Sequence, residues 1–407
     1  MTMIKFQRML MAAFIILIPV IYPIADVSNI RQFQQLVFQY GAMIICSFFV
    51  GNVWAGILMA WSLFLFYLNG GNVGHETVFN IFLGIMLFGI SRRFFKTFRF
   101  EKEAKWIGVV GLVSVGFMVL QFFGVDPLNM VYNPQVGTVP EEALKDMVGT
   151  FALKAHNGIY LALVSCYLTY LFAPLAIIGI ALVGISLSSA AVLASMCGVL
   201  FYCFHHARRW FWILLTLSIL GGAAYTVKDI MFDKKMYCSR LNMWHLVVKK
   251  CIQRPMGYGP DSFREYTPSK SFMIMGDEER RTAIMNKIPG TDQSQFIYYD
   301  PNPRKMFNDY KDIVPKSPNM WDHPHNEYLN IWFWFGFPGL VILFFMLKDL
   351  VITFRKADKT KEVVLITSML IVYAVASLTQ FPLCVSRLGY LFPILLGAFY
   401  ASTSSRD

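Results

Sequence analysis

Charge is scarce in this chain. Asp, Glu, Lys and Arg make up 15% of its 407 residues, where soluble domains carry about 25%. The middles of its long apolar runs are almost free of ionisable groups. That pattern excludes a soluble globule. It also argues against proton-coupled transport, which needs carboxylates or histidines along a buried path. Patterned cysteine is missing as well: the seven cysteines show neither metal-ligand spacing nor pairing. Cys46, Cys166, Cys197 and Cys203 fall in apolar runs, where packing is the ordinary role. If one helix holds both Cys238 and Cys251, they stand about 20 Å apart, too far for a disulfide. There is no internal repeat and no low-complexity segment.

What is abundant is apolar surface. Hydrophobic residues make up 56% of the chain, and Phe alone accounts for 37 positions, a composition suited to lipid-facing helices with aromatic belts. Runs long enough for a bilayer give about twelve candidate spans. They centre near residues 9–24, 34–50, 53–68, 77–91, 106–123, 156–172, 174–187, 189–204, 210–226, 328–347, 363–381 and 388–402. Lys5 and Arg8 before the apolar stretch from Met9 to Ile24 imitate a secretion signal. No small-residue cleavage site follows, and Pro19 and Pro23 interrupt the stretch, so it reads as a retained first span.

Basic residues mark the sides of the membrane. Arg92, Arg93, Lys96, Arg99, Lys102 and Lys105 fall in one loop, Arg208 and Arg209 in another, and Lys348, Arg355, Lys356, Lys359 and Lys361 in a third, with Arg406 at the end. The alternate loop from Asn69 to Glu76 has none. By the positive-inside rule both termini are cytoplasmic, and a large loop faces out together with a shorter one from Val125 to Ala155. The expected architecture is an all-α polytopic membrane protein: transmembrane helices in 1–227, a large, partly helical outward-facing loop over 228–327, and the last transmembrane helices in 328–407. The net charge of +11 then lies largely beside the bilayer, and nucleic acid is not an expected partner.

The polar chemistry gathers at that large loop. Ser239 is a suitable N-cap for an amphipathic helix from Arg240 to about Ile252, with Met243, Trp244, Val247, Val248 and Cys251 at helical spacing. Arg240 shares a face with Trp244, and a guanidinium at a helix N-terminus suits a phosphate; a surface Arg packed on Trp244 is the bland alternative. Pro255-Met256-Gly257-Tyr258-Gly259-Pro260 demands a fixed tight turn. It serves either as a close backbone approach to a ligand or as a helix stop. The loop closes on Trp321-Asp322-His323-Pro324-His325-Asn326-Glu327-Tyr328, where Asn326 suits an N-cap and Glu327 the positive end of the next helix. His325 then stands at the membrane surface, with a side chain able to accept a proton near neutral pH. His323 and His325 could chelate a metal, but no third ligand has obvious spacing. On the same side lie Gly149-Thr150-Phe151 with Lys154, His156 and Asn157, and Arg387 between the last two spans; snorkelling to headgroups is the ordinary role of Lys154 and Arg387.

These motifs in this order resemble the O-antigen ligase and polymerase superfamily of bacterial envelope glycan transferases. The resemblance rests on Gly149-Thr150-Phe151 with Asn157, on Arg240 to Trp244, on Pro255 to Phe263, and on His325-Asn326-x-Tyr328-Leu329. It implies an inner-membrane enzyme that takes a glycan from an undecaprenyl-diphosphate carrier. The acceptor is a hydroxyl, of lipid A-core or of another glycan, on the periplasmic side. By resemblance His325 takes the place of an essential histidine and Arg240 grips the diphosphate. Arg387 and Lys154 are further candidates for the diphosphate, and Asn326, Tyr328, Trp244, Gly257, Gly259 and Asn157 shape the site. One departure is Ser186-Leu187-Ser188-Ser189-Ala190-Ala191, where the family often carries a Ser-Arg pair. No cofactor and no metal is expected, because a diphosphate on C1 is already a good leaving group. Direct attack inverts the anomeric centre; a retaining route would need a carboxylate nucleophile, for which Asp322 and Glu327 are candidates. A polymerase, a protein O-oligosaccharyltransferase and, from another class, a transporter or flippase are the rival readings.

Overall fold

The computed structural model describes residues 3–20, 73–123, 125, 149–150, 154–186, 188–218, 244–245, 247–259, 263, 324–380, 382 and 386–404. Among these there are helices and turns but no strand. The expected spans at 34–50 and 53–68 and most of the 228–327 loop lie outside them.

The chain divides into two compact units, Met1–Gly221 with Phe345–Asp407, and Gly222–Phe344. The first contains α1 (Met3–Val20), α2 (Val73–Thr97), α3 (Phe100–Glu103), α4 (Lys105–Phe122), α5 (Lys154–Leu171), α6 (Leu175–Ile185) and α7 (Ser189–His206). A further helical stretch covers 208–218. After the second unit, α8 (Glu327–Lys356) leads back into the first, which also holds α9 (Lys361–Ala376), α10 (Ser386–Gly389) and α11 (Leu391–Thr403).

Small residues let the helices of the first unit meet closely, as they do wherever lipid supplies no hydrophobic drive between helices. A Cβ on Gly198 of α7 would stand 2.8 Å from Cys166 Sγ of α5 and 2.9 Å from the Ser368 carbonyl of α9. Gly397 of α11 lies as tightly on α2, where a Cβ would come within 2.6 Å of Ser91 Cβ. Tyrosine hydroxyls in this core meet backbone carbonyls: Tyr160 donates to Ile107 at 3.2 Å and Tyr390 to Ile15 at 2.9 Å. Two buried acids each have a donor. Glu103 accepts from Arg8 Nε at 2.6 Å, and Glu362 from the Phe100 N–H at 2.5 Å. Breaking such a pair would leave an uncompensated buried charge.

Among the described residues, three helices are long and apolar enough to cross a bilayer: Phe100–Phe122, Ser189–His206 and Glu327–Lys356. Leu112, Phe122, Leu193, Phe204, Phe337 and Ile342 are exposed on them. Apolar patches on that scale suit hydrocarbon rather than water. The protein is a helical membrane protein. Helix ends differ from the apolar runs in one instructive place. α8 continues through Lys348 and Asp349 to Lys356, because Asp349 accepts from the Tyr400 hydroxyl and Lys348 Nζ sits 5.8 Å from the centre of the Phe345 ring. A charge given a partner need not end a helix.

Candidate active site

In the second unit α8 begins as its sequence requires. Asn326 Oδ1 accepts the Leu329 N–H at 3.0 Å, closing an N-cap worth about 1 kcal/mol. Glu327, in the first turn, is buried. His325, just outside the cap, has φ +51. Among the described residues it is the one non-glycine with positive φ, a conformation that costs an L-residue roughly 1–2 kcal/mol. Its Nδ1 is shielded from solvent. One residue upstream, the Pro324 carbonyl accepts the indole N–H of Trp244 at 2.8 Å. Trp244 thus ties the loop helix to the turn that presents His325.

The glycine-rich turn meets α8 nine residues further on. At Gly336 the backbone leaves the helix (φ +65, ψ −161), and Pro338 follows. Helical geometry would send the Phe337 N–H to the Phe333 carbonyl, and Pro338 has no N–H for Trp334. The turn fills these vacancies: Phe337 donates to the Pro255 carbonyl at 2.7 Å, while Tyr258 donates to Phe333 at 2.8 Å and Gly259 to Trp334 at 3.0 Å. Gly257 (φ +82) lies against Gly336, and a Cβ on Gly257 would stand 2.5 Å from Gly336 N and from the Trp334 carbonyl. The Tyr258 ring stacks on Phe333 with centroids 4.5 Å apart, and Phe263 meets Phe333 edge-on at 5.2 Å. The close approach expected of this turn is therefore made to the kinked helix. Tyr328 is half-buried on α8.

The third expected cluster lies in the first unit and is a buried polar network. Gly149 takes φ +58; its N–H donates to Gln121 Oε1 at 2.9 Å, and Gln121 Nε2 donates to its carbonyl at 3.2 Å. Thr150 N–H donates to Ser114 Oγ at 3.2 Å, and the Ser114 hydroxyl donates to Asn157 Oδ1 at 2.6 Å. Asn157 Nδ2 donates to Met118 Sδ at 3.0 Å. Asn157 is fully buried, so it braces the turn before α5 against α4. Lys154 opens α5 and Arg387 lies in α10. Arg240, Asp322 and His323 fall outside the described residues.

Three participants were not anticipated. Ser114 and Gln121, seven apart on an otherwise apolar helix, share one face, and that polar stripe is a readable signal. Gly336 could have been found from Gly336-Phe337-Pro338, since Gly and Pro together mark a kink. At the departure noted above, Ser186 donates to the Val183 carbonyl at 2.6 Å and packs under Gly158, where a Cβ would stand 2.5 Å from Ser186 Oγ.

A loop helix, a glycine-rich turn and a capped helix behind a strained histidine all fall in one continuous stretch. Residues 174–344 match the family model described as O-antigen ligase. That stretch is similar to an O-antigen ligase domain. No curated protein matches the chain. The matched stretch includes Arg240, Trp244, Gly257, Gly259, His325, Asn326 and Tyr328, whereas Lys154, Asn157 and Arg387 lie beyond its limits. Glycan transfer of the O-antigen ligase type is the activity that the matched family implies.

Proposed function

We propose that the protein transfers a glycan from an undecaprenyl-diphosphate carrier to an acceptor hydroxyl at the periplasmic face of the bacterial inner membrane, with the O-antigen linkage to lipid A-core as the pattern. The bilayer holds about twelve spans, with both termini cytoplasmic and residues 228–327 outside. His325 takes the proton from the attacking hydroxyl, and Arg240 spreads the charge that develops on the departing diphosphate. Arg387 and Lys154 add positive charge for the same group; Trp244, Gly257, Gly259, Asn326, Tyr328 and Asn157 set the site's shape. Attack on C1 forms the new glycosidic bond as the C1–O bond to diphosphate breaks. The acceptor proton passes to His325, and the carrier leaves as polyprenyl diphosphate.

The observation that carries this reading is His325 within the matched stretch, held at φ +51. Strain of this kind clusters at functional sites. General-base help contributes about 10²–10⁴ in rate, so His325→Ala should reduce transfer by that factor. Arg240→Lys should also be impaired, since Lys cannot grip a phosphate bidentately. The test follows release of polyprenyl diphosphate from a lipid-linked glycan by wild type, His325→Ala and Arg240→Ala, with EDTA and candidate acceptors present. Release that requires an acceptor and both residues supports a metal-independent transferase. Release unchanged in either variant removes that residue from the mechanism.

A further inference from the structure

Helix 247–253 and the turn after it change character along their length. Val247 and Cys251 are buried. On the exposed side the residues run His245, Lys249, Ile252, Met256, four positions at helical spacing that pass from basic to apolar. Ile252 is 65% exposed and Met256 75%, large apolar side chains that no described residue of the second unit covers. The turn that bears Met256 is hydrogen-bonded to α8 through Pro255 and Phe337, so Met256 lies level with Phe337. Phe337 is itself 61% exposed, on a helix of bilayer-spanning length and composition.

We infer that the Ile252–Met256 edge is a membrane-docking surface whose partner is the acyl region of the bilayer's outer leaflet. Irregular backbone tolerates hydrocarbon only when its polar groups are satisfied within the protein, and most N–H groups of this turn have such a partner. The N–H groups of Gly257, Tyr258 and Gly259 donate to the carbonyls of Arg254, Phe333 and Trp334. Pro255 has no N–H, and its carbonyl accepts from Phe337. The Tyr258 hydroxyl is satisfied by the Lys250 carbonyl at 3.1 Å. Arg254, with its guanidinium 5.3 Å from the Tyr258 ring centre, and Lys249 are long enough to reach headgroup phosphates from this depth. Trp332, half-buried and about one turn above Phe337, suits the membrane–water interface. An apolar edge buried about 5–10 Å into the boundary with basic groups above it is the geometry of interfacial helices. The docking ties the height of the loop helix, and of Trp244 one turn above Val248, to the lipid surface. It rests on the protein being in a membrane with residues 228–327 outside, and stands apart from the transfer reading.

The test uses the wild-type full chain in phospholipid nanodiscs, treated with the polar oxidant chloramine-T and read by peptide mass spectrometry. Met346 of α8, 44% exposed, is the lipid-facing reference. Thioether oxidation follows access of the oxidant, so Met256 should convert no more than about threefold faster than Met346. In the same nanodiscs a diazirine-bearing acyl chain should label the peptide that holds Ile252 and Met256. Faster oxidation of Met256 overturns the proposal. Protection without label overturns it too, because protein rather than lipid would then cover the edge.

Discussion

Gly149 and His325 both stand in left-handed backbone ahead of a helix, at φ +58 and +51, and the chain treats them differently. At Gly149 no side chain is present, and the space a Cβ would occupy is taken by Ser114 Oγ and Asn157 Oδ1. Shape alone is wanted there, and glycine provides it at little steric cost. At the second position the chain keeps an imidazole despite the backbone strain. On the proposed function that imidazole stands there as the general base, where glycine would fit the backbone better.

Replacing His325 by Gly breaks the comparison most severely. Transfer should fall by about 10²–10⁴, while the folded state gains about 1 kcal/mol from relief of the left-handed strain; a steady-state rate and a thermal melt on one preparation check both. Gly149→Ala should do the reverse, costing more than about 2 kcal/mol in denaturant or thermal unfolding, with transfer per folded molecule retained. Ser114→Ala, which removes the link between Thr150 and Asn157, should lower stability by about 1–2 kcal/mol in the same assay. Trp244→Phe keeps the ring but loses the bond to Pro324. The expected loss is about 1 kcal/mol, seen as a fall in kcat of roughly tenfold or less with KM nearly unchanged. The smallest effect concerns Cys251, which burial pushes up to about 12. Folding therefore favours the neutral thiol, and the stability it contributes is lost as pH rises above about 9. Alkylation at pH 8 should be slow in the folded protein and fast in denaturant.

The sequence made some of this legible and not the rest, for physical reasons. The start of α8 could be read because Asn326 and Glu327 are side chains that a helix N-terminus selects. The end of α8 could not: Lys348 and Asp349 look like loop until Tyr400 and Phe345 are seen beside them. Gly257 and Gly259 announced a tight turn, but its partner is a backbone kink, and backbone-to-backbone pairing leaves little trace in side-chain pattern. Asn157 was found by motif, whereas its role as a brace depends on Ser114, Met118 and Gln121, which are distant in sequence. The strain at His325 is a dihedral angle, and residue type alone does not report it. The basic loops, the spans at 34–50 and 53–68, and Arg240 were read from sequence; of these, the spans and Arg240 lie outside the described residues.

The most direct test of the account is the rate of polyprenyl diphosphate release by His325→Gly beside wild type, normalised to folded protein, with the melting temperature recorded on the same sample. The account predicts a variant that melts higher and transfers at least about 100-fold more slowly. A variant that transfers at the wild-type rate would show that His325 is kept for some other reason.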